Sequence, residues 1–360
     1  MKFVRHEDLK RGMVLARPVY NKAGVLLYDI NTKLTKAGVN SIKNFGLIGV
    51  YILEPTEPMQ EISEADREFE RFQAMGVLAL KEQIEMMIDG KGSKGMEPLV
   101  NRIIAQYGKK QGKINFLKSL RSPEDYVYKH SLNVAILTAI ISGQLYMSHV
   151  EQVNVIMAAL YHELGRAMVP LEIIKKGAQI SEEDAYVIHK CEIEGNERIQ
   201  QDYDLPSLTR IIISQNMKEI SGKLKPDTKV LDGTKVLRIA DVFDTMTAMN
   251  VTGEPYSDVA AIRYLVGHAE QFDSKIVGAL LKGINILIPG VCVELTSGER
   301  ALVIQENQDD ILRPRVLGFG NNKVYDLDDA SVYEDVQIAD VLKTMDQRVP
   351  IRAEAIENFG

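Results

Sequence analysis

Apolar and polar positions along this chain follow three successive patterns. Over roughly the first fifty-six residues the apolar residues come in short runs. Gly12-Met13-Val14-Leu15-Ala16 and Val25-Leu26-Leu27-Tyr28 flank the turn signal Asn21-Lys22-Ala23-Gly24, which predicts two strands joined by a turn. Thr35 caps a short amphipathic helix running to about Phe45, Gly49–Leu53 reads as a further strand, and Pro55 and Pro58 close the unit. Between 61 and 89 the spacing changes: Phe69, Phe72, Leu80, Ile84 and Met87 recur near helical period. Lys91-Gly92-Ser93-Lys94-Gly95 interrupts that helix, so 59–120 reads as a helical connecting arm.

From 121 to 285 the pattern is mostly helical. Ser122-Pro123-Glu124-Asp125 has a capping serine, a first-turn proline and a capping-box acid, and Ser181-Glu182-Glu183-Asp184 repeats the cap-plus-acid arrangement. Val153, Ile156, Met157, Leu160 and Leu164 form one stripe, so the helix leading to His162 packs on a core. Residues 236–249 are apolar nearly all round, which predicts a buried helix. The strand pattern returns at Val291-Cys292-Val293-Glu294-Leu295 and Ala301-Leu302-Val303-Ile304, either side of Ser297-Gly298, and Ile338, Val341, Leu342 and Met345 suit a last amphipathic helix. The expectation is a mainly α chain: a helical core at 121–285, a small β-rich domain at 1–58, the arm at 59–120, and a β-subdomain with a C-terminal helix at 286–360. No internal repeat is visible.

Bulk properties narrow the function classes. The chain has 360 residues, 45% hydrophobic and 26% charged, an ordinary globular balance with ample core material. A net charge of -7 argues against DNA or RNA binding through a basic surface. The longest uncharged apolar run, 132–147, is broken by Asn133, Ser142 and Gln144 and is short for a membrane span, so it reads as a buried helix. The first residues lack a signal-peptide core, and the two cysteines, Cys191 and Cys292, form no paired motif; a reduced cytoplasmic protein is expected.

Candidate chemistry centres on His162-Glu163-Leu164-Gly165-Arg166, where an imidazole and a carboxylate are adjacent, with His130, His189 and Asp241 in comparable settings. Each has a plainer explanation. His130 lies on the stripe Val127, His130, Val134, Leu137, Ile141 and could be a satisfied core residue. Asp241, in an apolar helix, needs a cation, a salt bridge or cap hydrogen bonds; so does Asp244, and Arg238 is one available partner for Asp241. His162 and Glu163 could end a surface helix, and His189 could be an exposed residue among Lys190, Glu192 and Glu194. Together the four outweigh these explanations. Arg166 stands where a zincin needs its second histidine, and neither a P-loop nor a Gly-x-Ser-x-Gly elbow is present.

These residues carry a resemblance. Tyr128-Lys129-His130-Ser131-Leu132-Asn133, then Ala158-Ala159-Leu160-Tyr161-His162-Glu163-Leu164-Gly165-Arg166, then His189 with Gly195, then Val236-Leu237-Arg238-Ile239-Ala240-Asp241-Val242-Phe243-Asp244, occur in the order found in HD-GYP domains, a bacterial branch of the HD metal-dependent phosphohydrolases. Residues 121–285 resemble that domain strongly and most of the chain does so loosely. The resemblance implies a helical HD core, divalent metal ions, cleavage of c-di-GMP, metal ligation by His130, His162, Glu163, His189 and Asp241, and a phosphate contact at Arg166.

Several positions depart from the family pattern. Ser214-Gln215-Asn216-Met217 stands where an adjacent pair of metal-binding histidines belongs, and amide oxygens are weak replacements for imidazole. Ser221-Gly222-Lys223-Leu224 replaces the Gly-Tyr-Pro tripeptide, Glu163 replaces Asp, Tyr126 replaces a carboxylate, Lys190 replaces a proline, and Glu254 stands where an arginine should meet phosphate. The expectation is one divalent ion (iron, manganese or zinc) or none, with little or no c-di-GMP hydrolysis. Two functions follow: a signalling module that binds a partner protein or a cyclic dinucleotide, or an active phosphohydrolase with a reduced site. A homodimer built on the arm is a third expectation. Whether Gln215 and Asn216 face the site or turn away is left open by the sequence.

Overall fold

The structure is a computed structural model that describes residues 2–21, 25–45, 47–53, 64–109, 112–116, 120–249, 253–320 and 322–341. The N-terminal unit contains β1 (Lys2–Arg5), β2 (Val14–Leu15), β3 (Val19–Tyr20), β4 (Leu26–Tyr28), α1 (Lys36–Asn44) and β5 (Gly49–Leu53). β5 is buried along its whole length and lies between β1 and β2 in an antiparallel sheet, with Val4 opposite Val50 and Leu15 opposite Ile52. Thr35 caps α1 by accepting the Gly38 N–H at 3.0 Å. The hairpin differs from expectation: β4 pairs with β3, and residues 12–16 contribute β2, which pairs with β5. Pro18 lies between β2 and β3 and offers no N–H to a ladder, so the two strands are separate. Turn residues 22–24 lie outside the described residues.

Helices α2 (Glu64–Ile88) and α3 (Glu97–Ile103), followed by a π-helical turn at Ile104–Gly108, account for the expected arm. Phe69, Phe72, Leu80, Ile84 and Met87 are buried, as their spacing predicts. They pack into the same core as the helices that follow, with Phe69 and Phe72 meeting Tyr107 edge-on at 5.6 and 5.2 Å, so the arm is a wall of the helical body.

That body comprises α4 (Tyr126–Gln144), α5 (His149–Tyr161), α6 (Leu164–Ala167), α7 (Leu171–Ile174), α8 (Glu182–Gln201), α9 (Ser207–Ile220), α10 (Asp232–Thr247), α11 (Asp258–Gly267) and α12 (Ser274–Gly283). α4 is its axis. It is buried on nearly every side and packs against α2, α5, α10 and α12. Residues Ser122 to Asp125 form a turn ahead of α4, with the Ser122 N–H donating to Asp125 Oδ1 at 2.6 Å; the helix starts at Tyr126, later than the cap signal suggested. Capping boxes start α5 at Ser148 and Glu151, and α8 at Ser181 and Asp184. Two glycines let α6 lie directly on α8. A Cβ on Gly165 would meet the Glu192 Cα at 2.5 Å, and one on Gly195 would meet the Gly165 Cα at 2.5 Å.

The C-terminal unit holds β6 (Cys292–Leu295), β7 (Arg300–Gln305), β8 (Arg315–Gly318), β9 (Val324–Asp326), α13 (Ala330–Asp335) and β10 (Ile338–Val341), with antiparallel order β10-β6-β7-β8-β9. The expected last helix is a strand where it is described. Ile338 is fully buried and pairs with Leu295, and a bulge brings Asp340 opposite Glu294. Covering the edge of β6 outweighs the three-residue spacing of Ile338 and Val341. Leu342 and Met345 lie outside the described residues. Arg263 on α11 donates to the Ala339 carbonyl at 2.6 Å, tying this sheet to the helical body. Among the described residues no helix is long and apolar enough to cross a membrane.

Candidate metal centre

Three buried helices aim donors at one point. α4 supplies His130, the residue ending α5 is His162, and α10 supplies Asp241; one ligand atom from each lies within 4.8 Å of the others. His130 Nε2 is 3.2 Å and His162 Nε2 3.9 Å from Asp241 Oδ1. The His162 Nδ1–H donates to the Ala159 carbonyl at 2.7 Å, so in the neutral ring Nε2 carries the lone pair. That nitrogen is buried without a hydrogen-bond partner and faces a carboxylate. An unpartnered lone pair pointed at an anion is costly in a buried site, and a cation between them removes the cost. The donor set of two imidazoles and one carboxylate therefore fits a divalent transition metal.

Behind these donors lies a buried polar layer. Asp244, fully buried, contacts His130 Nδ1 at 2.7 Å, accepts from Asn133 Nδ2 at 2.9 Å and forms an ion pair with the equally buried Arg121. Gln73 on α2 donates to Asn133 Oδ1 at 2.8 Å. Tyr126 stacks on His130 at 6.2 Å between ring centres, and the Arg121 guanidinium lies 5.1 Å from the Tyr126 ring. Burial acts to lower the His130 pKa, but the hydrogen bonds to Asp241 and Asp244 outweigh it and raise it well above 6.5. Burial acts to raise the Asp241 carboxyl, and the contacts that oppose it, led by the hydrogen bond from His130, hold Asp241 below the ordinary carboxylate range. Asp244 is likewise lowered, its burial opposed first by Arg121. Arg238 is a distant partner of Asp241 at 3.8 Å, and Thr245 Oγ1 is 3.3 Å from it.

The structure brings together three of the five expected ligands. Glu163 lies 3.6 Å from Arg166, whose Nε donates to Glu192 at 3.1 Å. The His189 side chain is 54% exposed and 3.8 Å from Glu192. Both residues are outside the three-donor group; with His162, Arg166, Asn196 and Asn216 they border an adjoining cavity of about 170 Å³. α8, which carries His189, lines it with Glu192, Ile193, Asn196 and Ile199 as well. The question left open at Gln215 and Asn216 is answered in opposite ways. Gln215 accepts from the Leu231 N–H at 3.0 Å and the Thr234 hydroxyl at 2.8 Å, so it serves the start of α10. Asn216 is buried and borders the cavity, and its Oδ1 has no hydrogen-bond partner.

Sequence reasoning missed the roles of Arg121, Asn133 and Gln73, and noted only that Asp244, like Asp241, needs a partner. A signal existed in the spacing. Asn133 follows His130 by three residues and Asp244 follows Asp241 by three, each a polar residue in an apolar helix on the same side as a ligand.

Comparison with known proteins agrees with this geometry. Residues 116–276 match the HD domain family, a span that contains His130, His162 and Asp241. The segment 116–276 is thus matched as an HD domain. HD domains are metal-dependent, and among the described residues the three buried donors form a group that could hold a metal. Over 225 residues the chain is 23% identical to the cyclic di-GMP phosphodiesterase PA4108 of Pseudomonas aeruginosa, covering 61% of this chain and 54% of that protein. Over 230 residues it is 23% identical to the cyclic di-GMP phosphodiesterase PdeB of Borreliella burgdorferi, covering 61% and 60%. The chain thus spans little more than half the length of these curated relatives. A solved structure of Bd1817, an HDG"Y"P protein from Bdellovibrio bacteriovorus, aligns with a TM-score of 0.47 at 14% identity, over 78% of this chain and 99% of that one.

Proposed function

We propose that this protein is a signalling module of the HD-GYP type that holds one divalent ion, iron, manganese or zinc, and binds a cyclic dinucleotide with little hydrolysis. The observation carrying this is the split in the expected ligand set. His130, His162 and Asp241 converge in a buried donor group, whereas Glu163 borders the cavity that His130 and Asp241 line but pairs with Arg166 at 3.6 Å, and His189 lies 3.8 Å from Glu192. A bound divalent ion would polarise a phosphoryl oxygen. The protein's part is to fix its donors: Ala159 sets the His162 tautomer and Asp244 orients His130. Arg166 keeps a cation beside the site, but two carboxylates already face it, which weakens its grip on phosphate. Lys223 borders the same cavity. With one ion where an in-line displacement is best served by two, and a weakened phosphate contact, transition-state stabilisation is reduced by several kcal/mol relative to a two-metal site, on the order of the effect of removing one oxyanion donor.

The test combines metal content and turnover. Protein purified without chelator should carry close to one equivalent of iron, manganese or zinc, lost in His162→Ala. It should bind c-di-GMP in equilibrium dialysis yet cleave it and bis(p-nitrophenyl) phosphate only slowly. Two or more equivalents with rapid cleavage would establish the active phosphohydrolase instead, and absence of metal after reloading would sink both.

A further inference from the structure

Asp244 can only accept hydrogen bonds when ionised, so Asn133 must present its Nδ2 to it, as the 2.9 Å contact has it. The amide is then fixed end for end, and its Oδ1 requires a donor from the other side. Gln73 Nε2 is that donor, at 2.8 Å. Gln73, Asn133, Asp244 and His130 are all buried, at 4%, 1%, 0% and 4% exposure, so water is poorly placed to substitute for a missing link. The direction of donation therefore runs from α2 through Asn133 to the carboxylate that contacts His130 Nδ1 at 2.7 Å.

We infer that Gln73, on the arm and remote from the donor atoms, is a positioning residue for the metal centre: it sets the polarity of a hydrogen-bond relay that keeps Nδ1 of His130 as donor and Nε2 as ligand. The inference rests on the proposal that His130, His162 and Asp241 hold the metal. Gln73 is also where the N-terminal unit can act on the relay. One turn earlier on α2, Glu70 takes Arg17 at 3.4 Å and the Tyr20 hydroxyl at 3.3 Å, so the N-terminal unit grips the helix beside the relay's first member.

The decisive substitution is Gln73→Glu. It keeps size and shape but turns the donor into an acceptor. Asn133 must then either face two acceptors with one amide or flip and set its oxygen against Asp244. Gln73→Leu removes the donor without reversing it and should be milder. Two readouts separate the questions. Cobalt(II) titration, read by its visible absorption, should show affinity lowered about tenfold or more in Gln73→Glu and less in Gln73→Leu, within the 10- to 100-fold range of outer-shell changes. In metal-free protein labelled with 15N-histidine, held at a pH alkaline enough for the His130 ring to be neutral, the ring signals should show Nδ1 protonated in the native chain and a changed proton distribution in Gln73→Glu, with the circular dichroism spectrum preserved. If the native chain binds cobalt and neither readout moves in Gln73→Glu, the inference is wrong. If the native chain binds no cobalt, the proposed metal centre fails, and the His130 ring signals still decide whether Gln73 sets the relay. If Gln73→Glu does not fold, Gln73→Leu decides by the same two readouts.

Discussion

Arg121→Met tests the buried layer most directly. Arg121 and Asp244 are both fully buried and form an ion pair, and Asp244 also takes Asn133 and His130. Methionine keeps much of the length and apolar volume of the arginine stem, so the change removes chiefly the charge. Breaking a buried pair by removing one partner costs about 3–5 kcal/mol, because the other charge is left buried without compensation. Two further contributions are smaller. Loss of the contact with the Tyr126 ring, at 5.1 Å, accounts for about 0.5–2 kcal/mol, and Asn133 and His130 still hold the carboxylate, which places the total near the lower end of that range. Urea unfolding at neutral pH with chelator present, followed by far-ultraviolet circular dichroism, measures the loss. Asp244→Asn alone should be destabilising too, since it leaves Arg121 buried and uncompensated. The double variant Arg121→Met with Asp244→Asn should recover a large share of the summed losses, a coupling at or above the upper part of the usual 0.5–3 kcal/mol range for contacting residues. If Arg121→Met lies within about 1 kcal/mol of the native chain, or the two losses simply add, the pair does not act as described.

Other expectations concern the site and its frame. His162→Ala should abolish metal binding with little effect on the circular dichroism spectrum; retention of a full equivalent by mass spectrometry would place the metal elsewhere. Gly195→Ala puts a methyl against the α6 backbone, which has no flexible side chain to yield, so a loss of about 1–3 kcal/mol in urea is expected together with weakened metal binding through displacement of the segment after His162; a variant as stable as the native chain would contradict that close approach. In metal-free protein the raised His130 pKa contributes stability that is complete below its ordinary 6.5 and is lost as pH rises through its higher folded value, while the lowered Asp241 and Asp244 contribute stability that is complete above 3.8 and lost at lower pH. Urea midpoints should therefore fall on the alkaline side, and His130→Gln should flatten that fall; an unchanged alkaline limb would show that His130 is not responsible. Ser181→Ala removes the α8 capping box and should cost roughly 0.5–2 kcal/mol by the same unfolding assay; an unchanged midpoint would mean that the cap contributes nothing.

Periodicity and local chemistry were enough for much of the architecture. The apolar stripes of α2, α5 and α10, the Thr35 and Ser181 caps, β5 and the pair β6 and β7 are all determined by residues close in sequence, because helix and strand periods and cap hydrogen bonds are local. The three donors were legible as well, each being a residue of ligand type in an apolar helix. Contacts between distant segments were not. The strand at Ile338–Val341 exists because the edge of β6 is there to be paired, and β3 replaces residues 12–16 in the hairpin because β5 captures β2. The arm became a wall of the core because Phe69, Phe72 and Leu80 find α4 and Tyr107.

At the centre the division is sharper. The residue types needed to bind a cation could be listed from the chain, but not which of them share a point. His189 and Glu163 are as suitable chemically as His162; their contacts with Glu192 and Arg166 are local, three residues along the chain, and it is the helix packing that leaves both out of the group formed by His130, His162 and Asp241. The reason is range: side-chain chemistry travels with the residue, whereas a donor set is a coincidence of positions within 4.8 Å, created when helices far apart in sequence bury their apolar faces against one another. The links from Arg121, Asn133 and Gln73 to Asp244 likewise appear only after that burial has removed water and left these groups to satisfy each other.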